Sequence, residues 1–150
     1  IINVDYPTLK QEVEIALTTT SGINSKMDIV LNAEQIQEFQ KLVPSVPVSQ
    51  HVAEFAVRLA QSSRPNKNGT SLGFINEWVD WGAGPRASQY LLMGAKACAL
   101  MDNRVTATIE DVKRVTRQVL EHRIILNFKA EAENITTTNV IEKLLKSVKT

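Results

Sequence analysis

The sequence predicts an all-α protein, a helical bundle of about six helices with a short N-terminal strand. Three observations lead there. Apolar residues recur at helical spacing, most completely as Val52, Phe55, Ala56, Leu59 and Ala60, at i, i+3, i+4, i+7 and i+8. Helix-capping residues stand ahead of the periodic segments, and Thr8, Asn32 and Thr108 are each followed three positions on by Gln11, Gln35 and Asp111, the reciprocal capping arrangement. No stretch alternates at period two for long enough to build a sheet, and no unit of roughly 20–50 residues repeats.

Taken in order, residues 1–7 read as a short strand ended by Pro7, and Thr8 then caps a helix to about Leu17 with Leu9, Val13, Ala16 and Leu17 on one face. The run Thr18-Thr19-Thr20-Ser21-Gly22 should break it, through β-branching, competing hydroxyls and glycine. A loop to Leu31 follows, with an extended stretch at residues 28–31. Asn32 opens a helix carrying Ile36, Phe39, Gln40 and Val43 until Pro44 interrupts it. Ser49 caps the strongly amphipathic segment through Ala60. Residues 62–70 are polar and turn-rich, the composition of a mobile surface loop. A short helix is expected from Phe74 to Trp81, with Trp78 and Trp81, three apart, in the core. Gly82-Ala83-Gly84-Pro85 supplies a stop and a fresh start, because proline suits the first helical position. The next helix is long, with a face of Ala87, Leu91, Gly94, Cys98 and Met101 and small residues that admit a close neighbour. Thr108 caps another with Ile109, Val112, Val115, Val119 and Leu120 on one face, and His122 and Arg123 suit the negative end of its dipole. A last helix spans Thr137 to Ser147.

Composition narrows the function. A hydrophobic share of 43% with 22% charged residues is that of an ordinary globular chain, and no apolar run approaches the roughly 18 residues of a membrane span. Seventeen basic against sixteen acidic residues leave a net charge of +1, so no global field steers the chain to nucleic acid. The single cysteine, Cys98, fits a reducing cytoplasm. With His51 and His122 as its only histidines, no metal site is expected. The start lacks a secretory leader, and the absence of an initiating methionine fits a piece of a longer protein.

No nucleophile elbow, zinc-protease motif or phosphate loop occurs, so the chain is not expected to hydrolyse a nucleotide unaided. The acidic residues read as solvated helix exteriors, and the basic strip Lys113, Arg114 and Arg117, interleaved with Glu110, Asp111 and Glu121, reads as a solvated face. What stands out is Trp81-Gly82-Ala83-Gly84-Pro85-Arg86-Ala87, which sets a cation in the first turn of a helix. There the partial positive charge disfavours Arg86 by a few tenths of a kcal/mol unless an anion compensates. A phosphate held by Arg86 and the free N–H groups of that turn would do so. An arginine that packs its stem on Trp81 or pairs with a nearby acid fits the same sequence.

These residues carry a resemblance. The segment WGAGPRA (81–87) resembles the sensor 2 segment of MoxR-type AAA+ ATPases. The order of VDYPT (4–8), LNAEQI (31–36), VPVSQHV (46–52), AVRLA (56–60), FINEWVDW (74–81) and HRIILNFKAEAE (122–133) is similar to the same family over nearly the whole chain. The resemblance implies a helical lid at residues 8–150 behind the end of an ATPase core, or a linker, at 1–7. It implies that Arg86 contacts the γ-phosphate of ATP, with Gly84 and Pro85 beside the nucleotide, and that ATP and Mg serve the intact protein rather than this chain alone. It further implies partners: the chain's own N-terminal ATPase core, neighbouring subunits of a homo-oligomeric ring such as a hexamer, and a client protein that the ring remodels. Lys129 stands where the family has an acidic residue and Asn134 where it has glycine. The competing expectation is a stand-alone helical module that binds a protein or DNA.

Overall fold

The computed structural model describes residues 1–2, 4–22, 28–66 and 72–149 and is helical over most of that length, as the apolar spacing predicts. Contacts divide the chain into two units, Ile2–Glu38 and Phe39–Thr150.

In the first unit α1 (Leu9–Thr20) begins at the expected capping box, with the Thr8 N–H donating to Gln11 Oε1 at 2.9 Å. It runs past Leu17 because Thr18, Thr19 and Thr20 donate their hydroxyls back to the carbonyls of Glu14, Ile15 and Ala16, at 2.8, 2.7 and 2.6 Å. The side chains thereby join the helix rather than compete with it. Gly22, at φ +68°, follows in the left-handed conformation that suits glycine. The face of Leu9, Val13, Ala16 and Leu17 forms, but α1 carries no buried residue. The expected N-terminal strand is absent among the described residues 1–2 and 4–7, because a strand needs a neighbour for its N–H and C=O groups and no strand pairs with them. Residues 28–31 are likewise irregular. The helix α2 (Ala33–Leu42) straddles the boundary between the units and starts at Asn32, whose Oδ1 accepts the Gln35 N–H at 2.8 Å.

The second unit holds the core. A 3-10 turn at Val43–Ser45 leads into α3 (Gln50–Ser62), capped by Ser49, and the five residues of its predicted stripe are the ones it buries. Next come α4 (Gly73–Trp78) and β1 (Val79–Trp81). The helix predicted through Trp81 therefore stops early: Val79 and Trp81 pair with Leu126 and Ile125 of β2 (Ile125–Leu126), a partner too distant in sequence for local periodicity to reveal. The central helix is α5 (Pro85–Met101), packed on α3 and most extensively on α6 (Ile109–Leu120). A Cβ on Gly94 would lie 3.0 Å from Val115 Cγ2, so the missing side chain is what admits α6. Of the face expected on α5, Ala87, Leu91 and Cys98 are buried and Gly94 meets α6, with Ala95 and Ala99 buried beside them, whereas Met101 is 68% exposed. The short α7 (Phe128–Ala132), capped by Asn127, was not legible, and α8 (Thr137–Ser147) closes the unit on Val140, Ile141 and Leu144. Phe55, Leu59, Ile75, Leu91, Leu120 and Leu144 are fully buried, each contributing about 1.5–3 kcal/mol by leaving water.

Asp111 is not on a solvated exterior: it is 3% exposed. Its carboxylate accepts the Arg104 guanidinium at 2.8 and 2.5 Å and the Thr108 N–H at 2.8 Å, which joins the α5–α6 connection to the start of α6. These donors, Arg104 first, hold its pKa down at about 2. The basic strip does form a solvated face, with Lys113 paired to Glu110 at 2.7 Å and Arg117 to Glu121 at 3.4 Å.

Candidate functional site

The first turn of α5 is fixed from behind by the end of α3. Ser63, which caps α3, donates its hydroxyl to Ala60 O at 2.7 Å and accepts the Ala83 N–H at 2.9 Å. Arg64 Nε donates to Ala83 O at 2.8 Å. Both polar groups of the buried Ala83 are thus satisfied by consecutive residues of another element, as burial demands. Gly82 lies hard against the same two residues: an added Cβ would fall 2.3 Å from Ser63 O and 2.6 Å from Arg64 Cα. Only a residue without a side chain lets the two backbones meet so closely.

Residues 62–66 are consequently not the mobile surface loop their composition predicts. Ser63 is fully buried, and the turn is held by hydrogen bonds that span about twenty residues, which no local pattern encodes. The rest of that predicted loop, 67–70, lies outside the described residues.

Gly84 is the N-cap of α5 at φ −75° and ψ 178°, an extended conformation open to any residue, and a Cβ there would meet nothing within 4 Å. Its effect is electronic rather than steric, since it leaves the helix start without a side-chain acceptor. Pro85 occupies the first helical position, and Arg86 the next, exposed to solvent. Among the described residues no carboxylate, carbonyl or aromatic ring engages the Arg86 guanidinium. A cleft of about 440 Å³ adjoins the turn, lined by Arg64, Pro65, Asp80, Trp81 and the residues from Gly82 to Pro85. Trp81 is 70% exposed at this cleft rather than packed in the core, because β1 turns it outward while Trp78 packs inward. Gly84, Pro85 and Arg86 therefore stand together as the sequence places them, and the structure adds Ser63, Arg64, Gly82 and Ala83 behind them.

Other chemistry-bearing residues lie elsewhere. Cys98 is buried against the α5–α6 contact, and desolvation pushes its thiol pKa up, against the pull of Arg114. Trp78 Nε1 donates to Glu133 Oε2 at 2.9 Å, and Lys143 lies 4.4 Å above its ring. Lys129 pairs with Glu77 at 2.5 Å. Asn134 stands at φ +56°, a left-handed position where asparagine does the work of glycine. No helix among the described residues is long and apolar enough to cross a membrane.

Residues 75–144 match the family model of the AAA lid domain. The chain is 30% identical to chaperone MoxR1 of Mycobacterium tuberculosis, over 98% of its own length and 38% of that protein's. It is 24% identical to the uncharacterized protein YeaC of Bacillus subtilis, over 99% of its length and 43% of that relative's. A crystal structure of a candidate ATPase from Cytophaga hutchinsonii superposes with a TM-score of 0.81 at 30% identity, covering 99% of this chain and 45% of the other. The chain spans less than half the length of each of these relatives. Sequence motifs, helical architecture and these likenesses agree: the chain carries an AAA lid domain and is similar, over nearly its whole length, to MoxR-type AAA+ ATPases.

Proposed function

We propose that this chain is the nucleotide-responsive lid of a ring-forming, Mg-dependent ATPase that remodels client proteins in the cytoplasm, and that Arg86 is its sensor 2 residue. The observation that carries the proposal is an exposed arginine, unpaired among the described residues, at the second position of α5 on a turn immobilised from behind. A cation at a helix N-terminus costs about 0.3–1 kcal/mol, and no acid of the described residues offsets it. An incoming phosphate would, by accepting from the guanidinium fork and from the uncapped first turn. Gly84 and Pro85 serve by leaving that turn open.

Arg86 acts by difference. Its planar fork would hold the γ-phosphate of ATP and lose that contact on hydrolysis, so the lid's preferred orientation would follow the nucleotide state. Residues 1–7 serve as the connection to an ATPase core preceding the lid, and neighbouring subunits of the ring, such as a hexamer, lie within reach of the same turn. The shortness of the chain relative to its relatives supports this division of labour.

The proposal is tested in the full-length ATPase by Arg86→Ala. Loss of one charge-assisted contact is expected to lower ATP turnover on the order of 10- to 100-fold while the helical fold persists. Wild-type phosphate release by that variant would retire it.

A further inference from the structure

We infer that Arg64 is a positioning residue for Arg86, acting through the Ala83 carbonyl. The inference rests on the sensor role proposed for Arg86. Ser63 and Arg64 hold the two backbone polar groups of one residue, Ala83, its N–H at 2.9 Å and its C=O at 2.8 Å, three residues ahead of Arg86. Gly82 contributes by letting the turn sit directly on the Ser63 carbonyl. A turn held only by its own chain would leave the first residues of α5 free to rock, and a forked donor pays for such freedom in phosphate geometry. The clamp removes that freedom.

The assignment of Arg64 rather than Ser63 as the informative residue follows from burial. Ser63 is fully buried and also caps α3, so its loss disturbs the fold itself. Arg64 is half-buried, donates from its side chain through Nε to Ala83 O, and lines the cleft beside the turn. Its aliphatic stem can be kept while the donor is removed.

The test is a double-mutant cycle in the full-length ATPase with Arg64→Met and Arg86→Ala, alone and together, read as kcat and KM for ATP. Arg64→Met is expected to lower kcat about 10-fold. In the Arg86→Ala background it should lower kcat no further, because a residue that acts through another has nothing left to position. Hydrogen exchange at the Ala83 amide of this chain provides a second readout, expected to quicken about 10-fold in Arg64→Met while the thermal midpoint holds within a few degrees. Losses that multiply in the double variant, or wild-type turnover by Arg64→Met beside a slowed Arg86→Ala, overturn the clamp and leave Arg86 its role. Wild-type turnover by Arg86→Ala overturns the sensor role itself, and the clamp with it. If Arg64→Met does not fold in the full-length protein, unchanged exchange at Ala83 in Arg64→Leu, which likewise lacks a donor, decides against the inference.

Discussion

At the scale of single residues, two glycines two positions apart do different work. Gly82 has no room for a side chain, because Ser63 and Arg64 occupy the space a Cβ would need. Gly84 has ample room and an ordinary backbone conformation. Gly82→Ala is therefore expected to cost on the order of 2–3 kcal/mol through forced movement of the turn, and Gly84→Ala to stay within about 0.5 kcal/mol of wild type, as urea unfolding midpoints would show. Equal costs would mean that the turn is not seated as described. The sequence marked this turn by its glycines, its proline and its misplaced cation. It could not mark Ser63 and Arg64, whose partners lie about twenty residues on, and it assigned Trp81 to the core although its spacing from Trp78 is interrupted by a strand. Asn134, where the resemblance sets a glycine, adopts a left-handed backbone conformation at φ +56° that asparagine tolerates.

At the scale of elements, local chemistry decided what was legible. Capping boxes at Thr8 and Thr108 and the serine cap at Ser49 sit where the sequence sets them, since each needs only residues three apart. The β1–β2 pair escaped because its logic is long-range, Asn127 N donating to Trp78 O at 3.0 Å across nearly fifty residues, and α7 escaped because its five residues are too few to show a helical period. The start of α6 shows how a local cap acquires a further role, since Asp111 is both the third helical residue and the buried partner of Arg104. Its pKa, lowered to about 2 from an ordinary 3.8, makes its contribution complete above about pH 4 and lost as the pH falls through about 2. Arg104→Ala should let that carboxyl rise toward its ordinary range and cost about 2–4 kcal/mol near neutrality. Thermal midpoints between pH 6 and pH 2 should then fall steeply at the acid end for wild type and more gently for the variant; parallel curves would show that the pair contributes nothing.

At the scale of the whole molecule, the two units differ in how they are held. Neither α1 nor α2 carries a buried residue, and helices of this length are marginal in water without packing. Their backbone amides are expected to exchange in this chain within minutes, while those of α3, α5 and α6, whose buried faces form the core, should be protected at least 1,000-fold more. Uniform protection would contradict that picture. Arg86 stands on the unit that holds the buried core, so the nucleotide response proposed for it would start from the better-packed part of the chain. In the proposed role, a turn held from behind aims the Arg86 guanidinium at a terminal phosphate. The most direct measurement is the affinity of full-length Arg86→Ala for a slowly hydrolysed ATP analogue and for ADP, by titration calorimetry. The account predicts weakening on the order of 10- to 100-fold for the triphosphate and little change for ADP; equal losses for both, or none for either, would contradict it.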